Sequence, residues 1–260
     1  MILAHRIALN GLQLDEIDER INIKSITEGA GKETISAAGT AQRNGQRITN
    51  RRRDTLDITV KFSMLIGPEE MQERSTLLER INTWAAGGGW LTVNYKSGRR
   101  LMVVCAQAPG AGDQYEWTNV YQITFRAYSM PYWEDETAFN SSSAVAASGS
   151  FGIQVPGSVE TDAEVTVVNK SGMTINTLRL NIAGNEMSFT NLNLGGNQTL
   201  IIDHVYTDSL YYLRMRIGNR SVLANRAGAD EFVMKPGWRS ASFTADRAVQ
   251  VTVSARGRYI

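Results

Sequence analysis

Residues 121–135 read YQITFRAYSMPYWED, and this stretch decides where the chain divides. Apolar and polar side chains alternate from Tyr121 to Tyr128, and this period of two predicts a strand with one buried face. The strand must end at Pro131, because proline has no amide proton to offer a sheet. Aromatic and acidic residues follow, and then a run of small residues from Asn140 to Ser150. The sequence therefore predicts a domain boundary near the middle of the chain.

The composition excludes several classes of protein. The chain has 260 residues, of which 42% are hydrophobic and 20% charged, with a net charge of +1. These values are typical of a soluble globular protein and give no overall field that would attract nucleic acid or an anionic membrane. No stretch approaches the roughly 18 apolar residues of a membrane span, and the start of the chain lacks a signal-peptide core. We expect the protein to be made and folded in a cytosol, without membrane insertion.

The first half mixes strands with one helix. Apolar residues alternate through 55–62, which predicts a half-buried strand, and residues 68–85 carry apolar side chains at helical spacing after a Gly-Pro start. A hairpin is predicted from two apolar runs, 91–95 and 101–105, that flank a Lys-Ser-Gly-Arg turn. We assign residues 1–137 to this α+β first domain, a sheet with one packed helix.

The second half has the rhythm of an all-β domain. Short alternating runs, such as Leu178–Ile182 and Tyr211–Ile217, are separated by glycine, asparagine and proline turn signals at regular spacing. This pattern predicts a two-sheet sandwich of about eight strands. We assign residues 138–150 to a linker and 151–260 to the sandwich, so the fold class as a whole is mainly β.

Residues 29–53 interrupt the first half with a long, basic excursion. They carry six basic residues against one acid, Glu33, a net formal charge of +5. The basic residues are Lys32, Arg43, Arg47, Arg51, Arg52 and Arg53. Three interpretations are open: a solvated loop, an arm that orders on a neighbouring subunit, and a nucleic-acid patch, although no aromatics are interleaved for base stacking. If copies sit side by side, the acids Glu134, Asp135 and Glu136 offer a counter-patch.

The usual signatures of catalysis are absent from the sequence. The two histidines, His5 and His204, are far apart and begin no zinc-ligand spacing, and no nucleophile elbow, phosphate-binding loop or dinucleotide fingerprint occurs. We therefore predict a protein without enzymatic activity, cofactor or metal, and a structural role for His204. Tyr206 and Trp238 are candidate aromatic contacts for a glycan or a partner, although packing at the core or rim is the favoured role for such residues.

Three segments together resemble the distal tail proteins of siphophages and related prophages, the Dit family. They are GGGWLTVNYKSGRRLMVV (87–104), YQITFRAYSMPYWED (121–135) and EFVMKPGWRSASFTADRAVQVTVSARGRYI (231–260). In order and spacing they span nearly the whole chain. One departure is Met130, which precedes the proline where an acidic residue is more usual in the family.

The resemblance implies a structural virion protein at the phage tail tip. Distal tail proteins form hexameric rings at the end of the tail tube, with a tube-like first domain whose belt loop clasps the adjacent copy. The second domain is galectin-like, usually without working sugar-binding residues, and serves as a docking point for receptor-binding or baseplate components. The tail-tip or tail-associated lysin is a further expected neighbour of the ring. The expected partners are thus the chain itself, the tail tube protein and these tip proteins, assembled in the host cytoplasm, while DNA passes through the lumen without specific binding. The alternative is a carbohydrate-binding module that recognises host cell-wall glycans.

Overall fold

The computed structural model describes residues 5–39, 46–67, 70–109, 120–206 and 211–260, and for residues 39, 46, 47 and 49–51 it describes the backbone alone. The chain divides into two compact units, the first reaching Tyr132 and the second beginning at Trp133. This division falls earlier than the expected end of the first domain at residue 137. Most of the described residues lie in strands, which confirms the mainly-β prediction.

The first unit contains eight strands and two α-helices among its described residues. They are β1 (Ile7–Leu9), β2 (Leu12–Gln13), α1 (Leu14–Ile17), β3 (Ile21–Glu28), β4 (Lys32–Gly39), β5 (Gln46–Met64), α2 (Met71–Ala86), β6 (Gly89–Val93), β7 (Arg99–Gln107) and β8 (Val120–Ala127). The strands pair in the order β2-β1-β6-β7-β8-β5-β3, with β4 added along the first part of β5.

The centre of this sheet is the antiparallel pair β5–β8, where the two predicted alternating runs meet. Ile58 faces Phe125 across the pair, and both side chains are fully buried. Phe62 and Tyr121 stack with ring centroids 5.6 Å apart. Each strand buries every second residue, so the alternation in the sequence was sufficient to place them.

Helix α2 covers one face of the first unit. Its buried side chains include Leu77, Leu78 and Ile81, which recur at the spacing expected of an amphipathic helix. Trp84 meets Phe125 edge to face at 5.7 Å, which ties the helix to the centre of the sheet. The helix was predicted over residues 68–85 and is observed from Met71 to Ala86, residues 68 and 69 lying outside the described ranges.

A glycine is required where α2 gives way to β6. Gly88 has a φ of +56°, and a Cβ there would lie 2.8 Å from the carbonyl oxygen of Val103. Any side chain would therefore be strained in its backbone and would also clash with strand β7. The hairpin of β6 and β7 follows directly, in agreement with its sequence prediction.

The second unit is built from strands, with one short 3-10 helix at Leu223–Asn225, among its described residues. The strands are β9 (Trp133–Asp135), β10 (Phe139–Ser142), β11 (Ala146–Val155), β12 (Thr161–Asn169), β13 (Leu178–Ile182), β14 (Asn185–Phe189), β15 (Thr199–Tyr206), β16 (Tyr211–Ile217), β17 (Arg220–Ser221), β18 (Arg226–Gly228), β19 (Val233–Met234), β20 (Gly237–Ala255) and β21 (Arg258–Tyr259).

Strand β20 belongs to both layers of the second unit. Residues 237–245 pair with β11 and β13, whereas residues 249–255 pair with β12 and β10. One layer therefore runs β11-β20-β13-β14-β18 and the other β10-β20-β12-β15-β16-β17. Side chains from both layers, such as Leu180 and Val165, enter a single buried core. This agrees with the predicted two-sheet sandwich.

The stretch predicted as a linker, residues 138–150, is instead part of the sandwich. Strand β10 pairs with the second part of β20, and most of β11 pairs with its first part. The serines and alanines of this stretch are mainly exposed at the outer edges, so they carry no hydrophobic alternation that would mark them as strands. With these and several two- or three-residue strands, the sandwich exceeds the eight strands expected.

None of the helices in the described ranges has the length and apolar character needed to cross a membrane.

Candidate functional site

The basic excursion forms a β-hairpin, which we call the arm: strand β4 and residues 46–55 of β5. Lys32 faces Thr55 at the base, and the register continues to Gly39 facing Gln46. At the usual rise per residue, eight paired residues give an arm about 25 Å long. We predicted a loop over residues 29–53. The difference arises because the arm buries neither face, so its sequence lacks the hydrophobic alternation that reveals a half-buried strand.

Both faces of the arm are uncovered in the single chain. The side chains from Lys32 to Ala38 are all exposed. Two large apolar residues stand out, Ile35 at 53% exposure and Ile48 at 60%. Ile48 faces Ala37, which lies on the same side of β4 as Ile35, so the arm presents a short apolar strip. Two-stranded ribbons are marginally stable without a packing partner, and this arm is therefore a surface suited to cover by another body.

The base of the arm is held by one carboxylate. Asp54 accepts a hydrogen bond from Thr34 on β4 and pairs with Arg52, whose Nε lies 2.8 Å from Oδ1. The hydroxyl of Thr34 and then the guanidinium of Arg52 lower the pKa of Asp54, so it stays ionised near neutral pH. Arg52 remains largely exposed and, together with the exposed Lys32, gives the arm its positive surface.

The structure distributes the predicted arm residues unevenly. Arg53 turns back onto its own unit: its guanidinium lies against Gly31 and 5.8 Å from the ring centroid of Tyr132. It is thus a packing residue at the base of the arm. Arg43 lies outside the described residues, and at Arg47 and Arg51 the structure describes only backbone in β5. Lys32 and Arg52 are the predicted basic residues whose described side chains face solvent.

Most of the predicted acidic counter-patch, Glu134 with Asp135, is not an open surface. These residues form β9, which pairs with β21 at the chain terminus. Glu134 is only 3% exposed. Asp135 accepts a hydrogen bond from the hydroxyl of Tyr259 at 3.1 Å. Glu134 and Asp135 face the C-terminal strand of the same chain, so the expectation is corrected for these two acids. Glu136, the third acid of the predicted counter-patch, is exposed.

The two predicted aromatic contacts have different environments. Tyr206 is half-buried, and its hydroxyl donates to Asp162 and accepts from Arg258, so it is part of an internal network. Trp238 is 68% exposed. Its indole lies against Gly152, where a Cβ would come within 1.9 Å of the ring. Trp238 therefore remains an open aromatic surface, whereas Tyr206 does not.

A polar cluster in the second unit was not anticipated from the sequence. Its members are Asp162, His204, Tyr206, Tyr211, Glu231 and Arg258. Arg258 Nη2 lies 2.6 Å from Asp162 Oδ2. The ring of Tyr211 stacks parallel to that of His204 at 5.3 Å and its hydroxyl donates to Glu231 at 3.1 Å.

His204 is the least satisfied member of this cluster. Its side chain is 1% exposed, and neither ring nitrogen has a hydrogen-bond partner among the described residues. Burial lowers the pKa of His204, with the neighbouring carboxylates opposing the shift, so the imidazole is neutral near pH 7. Burial raises the pKa of both Tyr206 and Tyr211, which keeps their hydroxyls protonated as donors. Among the described residues, the neutral imidazole of His204 therefore has a nitrogen lone pair that no hydrogen bond uses.

One sequence signal could have indicated this cluster. His204 occupies an inward position of β15, in the same alternation as the buried Leu200 and Ile202. An ionisable residue on the apolar face of a predicted strand points to buried polar partners. Which partners it meets depends on strand pairing, which the single sequence does not specify.

No protein-family model and no curated protein sequence matches the chain. Among solved structures it is similar to the SPP1 Dit (gp 19.1) protein, described as a paradigm of the hub adsorption apparatus in phages that infect Gram-positive hosts. The TM-score is 0.67 at 10% identity, covering 97% of this chain and 98% of that chain. It is also similar to a chain of the phage P2 baseplate in its activated conformation with Ca, with a TM-score of 0.52 at 10% identity, covering 99% and 98%.

The resemblance predicted from three sequence segments is thus confirmed as a shared fold over nearly the full length of the chain. At this identity the likeness concerns the fold, and residue roles have to be argued from the chain itself.

Proposed function

We propose that this chain is a structural subunit of a phage tail tip, which assembles into a hexameric hub ring between the tail tube and the tip or baseplate. The observation that carries the proposal is the arm: a 25 Å ribbon, by the usual rise of about 3.3 Å per residue, with two uncovered faces on the fold of a phage hub protein. The role is structural and not enzymatic. The ring is assembled in the host cytoplasm and becomes part of the virion, and DNA passes through the lumen of the ring.

A closed ring requires that the arm meet a different surface on the next copy. Ring contacts are heterologous, so the arm and its receiving surface are separate patches of one chain. Glu134 and Asp135 are engaged internally and only Glu136 of the predicted counter-patch is exposed, so a larger receiving surface is needed elsewhere.

A candidate receiving surface in the first unit is the groove between α1 and α2. Its lining includes the apolar side chains of Leu12, Ile17 and Trp84, the acids Glu16 and Glu79, and one cation, Arg80. Leu12 is exposed, although the indole of Trp84 donates to its carbonyl oxygen at 3.1 Å. The apolar lining suits the apolar strip of the arm, and the two acids against one cation leave a small negative charge for its basic side chains. The arm of one copy would lay Ile35 and Ile48 in the groove and place Arg52 near its acids.

The ring is tested by direct observation of the purified full chain. Electron microscopy is expected to show six-membered rings, and light scattering at micromolar concentration a mass near six chains. The contact should bury at least about 1,000 Å² for each pair of neighbours, because smaller interfaces are rarely durable. A mass of one chain at every concentration, with no rings in the images, would contradict the proposal.

Glycan binding is the second candidate function, and the exposure of Trp238 favours it. Aromatic faces stack on sugar rings, and this indole is open to solvent above a glycine. The outer face of the same layer carries hydroxyl and amide side chains, among them Ser242 and Asn181, beside the exposed pair Arg179–Glu186. This combination suits a polysaccharide, which offers both ring faces and hydroxyl groups.

A substitution at Trp238 tests this second function. Wall polysaccharide binding measured by calorimetry is expected to be saturable and to fall at least about tenfold in Trp238→Ala, the loss of one stacking contact of about 1.4 kcal/mol. Tyr212→Ala, which removes another exposed aromatic of the second unit, is the matched control and should leave binding unchanged. Absence of heat with every wall preparation, or equal loss in both variants, would remove glycan binding at Trp238.

A further inference from the structure

We propose that Asp162, His204 and Glu231 form a binding site for a divalent transition-metal cation, with Zn²⁺ as the best-matched ion. The ligand atoms of these three residues all lie within 4.8 Å of one another. They come from different segments of the second unit, β12, β15 and the chain before β19. Nothing in their sequence spacing indicates a metal, which is why the sequence predicted none.

The buried histidine provides the strongest argument. His204 combines a nearly inaccessible side chain with two ring nitrogens that lack hydrogen-bond partners in the described chain. Leaving a buried polar atom unsatisfied costs about 1–3 kcal/mol, so such atoms need an explanation. The nearest carboxylate oxygen, Oε2 of Glu231, lies 4.0 Å from Nε2, too far for a hydrogen bond. An ion placed between these two side chains would bind Nε2 of His204 and Oε2 of Glu231 at the same time.

The separations fit an ion with only small movements. Zn²⁺ binds nitrogen and oxygen at about 2.0–2.2 Å, so two ligands at a tetrahedral angle stand about 3.4 Å apart. The 4.0 Å between Glu231 and His204 exceeds this separation by about 0.6 Å. The widest pair, at no more than 4.8 Å, needs an approach of at most about 1.4 Å, which side-chain torsions can supply.

The charge of the surroundings also points to a cation. Asp162 and His204 line a small cavity of about 20 Å³, enough for one water molecule or ion, which Glu134, Glu164, Arg256 and Arg258 also line. Around His204 itself, the carboxylates of Asp162 and Glu231 stand against the guanidinium of Arg258, so the charge of the nearest groups favours a cation.

The two carboxylates are already oriented toward this role. The hydroxyl of Tyr211 donates to Glu231, and Tyr206 together with Arg258 holds one oxygen of Asp162. Groups that bind metal ligands from outside fix ligand orientation in this way. A nitrogen ligand with two carboxylates suits zinc or another transition ion, whereas calcium takes six to eight oxygen ligands.

The test uses untagged full-length protein, dialysed against a chelator and then against Zn²⁺. Metal analysis is expected to find one Zn²⁺ per chain, and the thermal midpoint is expected to rise with Zn²⁺ concentration by mass action. Because the chain has only two histidines, Co²⁺ substitution should give a visible spectrum that depends on His204. Ca²⁺ at the same concentration should leave the midpoint unchanged.

Two ligand variants and one control decide the outcome. His204→Gln and Glu231→Gln are each expected to weaken Zn²⁺ binding more than about 100-fold, beyond the 10–100-fold loss typical of residues that only orient ligands. Asp230→Asn removes a neighbouring, highly exposed carboxylate and should bind as the parent does. If His204→Gln fails to fold, Glu231→Gln still decides. Undiminished binding in Glu231→Gln, binding of Ca²⁺ in preference to Zn²⁺, or no Zn²⁺ bound by the parent would overturn the site.

Discussion

A variant that lacks the arm is expected to fold normally and to lose ring formation completely. The change replaces residues 33–54 by the dipeptide Asn-Gly, so a two-residue turn connects Lys32 to Thr55. These two residues already face each other across the pair, and Asn-Gly is the preferred two-residue turn of antiparallel hairpins. Apart from Arg53 at its base, the described side chains of the arm pack little on their own unit, so its removal leaves the remaining sheet pairs intact. Ring assembly should then fall from full occupancy to monomers by light scattering, with unchanged circular dichroism.

A milder substitution separates contact from chain length. Ile35→Ser together with Ile48→Ser keeps the backbone of the arm and removes its apolar strip. Burying two such side chains contributes about 1.5–3 kcal/mol each, so the dimerisation constant of adjacent copies should fall at least about 100-fold. Val145→Ser removes a similarly exposed apolar residue in the second unit and should assemble as the parent does. If the variant without the arm still formed rings, contacts other than those of the arm would be responsible for ring assembly.

The elements predicted correctly from the sequence share one physical property: they bury a single face. Strand β8 alternates from Tyr121 to Ala127, and α2 places Leu77 and Ile81 on one side. Burial of that face is what imposes the period of two or of 3.6 on the sequence. The arm, strand β10 and residues 146–150 of β11 escaped prediction for the converse reason. Their described side chains are largely exposed on both faces, so no period was required.

The candidate sites were harder to predict because they depend on pairing. Glu134 and Asp135 looked exposed in a turn after Pro131, but the terminal strand β21 covers them. Arg53 belongs to a basic run, yet it packs on Tyr132. Tyr206 and Trp238 were equivalent as aromatics in the sequence and differ in the fold, because one faces Asp162 and the other faces solvent. Local sequence gives residue type, and only strand register assigns its neighbours.

The second large expected effect is a loss of stability when the polar cluster of the second unit loses Arg258. Arg258→Met is expected to destabilise the second unit by about 3–5 kcal/mol, because it leaves the buried Asp162 without its cation. Both side chains of this pair are nearly buried, at 12% and 11% exposure. Burial alone would raise the pKa of Asp162, but Arg258 and the hydroxyl of Tyr206 outweigh it and hold the pKa below its ordinary value. The free energy of unfolding would be measured by urea denaturation with chelator present.

The same pair predicts a distinct dependence on pH. In the parent, the folded-state pKa of Asp162 is lower than its unfolded value of about 3.9, so the pair stabilises above that pH and its contribution is lost as the pH falls. In Arg258→Met, burial is no longer opposed by the guanidinium and the folded-state pKa should rise. Protonation then relieves the variant on acidification, so its deficit relative to the parent should shrink between pH 7 and pH 4.

Two further variants decide whether the unpaired charge of Asp162 causes the stability loss in Arg258→Met. Arg258→Met combined with Asp162→Asn removes both charges and should recover most of the lost stability, because a buried pair is costly mainly when one partner is missing. Arg214→Met breaks the more exposed pair with Asp203, whose closest separation is 2.5 Å, and should cost under about 1 kcal/mol. If Arg258→Met and Arg214→Met lose similar stability, or if the double variant recovers nothing, Asp162 does not depend on Arg258 for its charge.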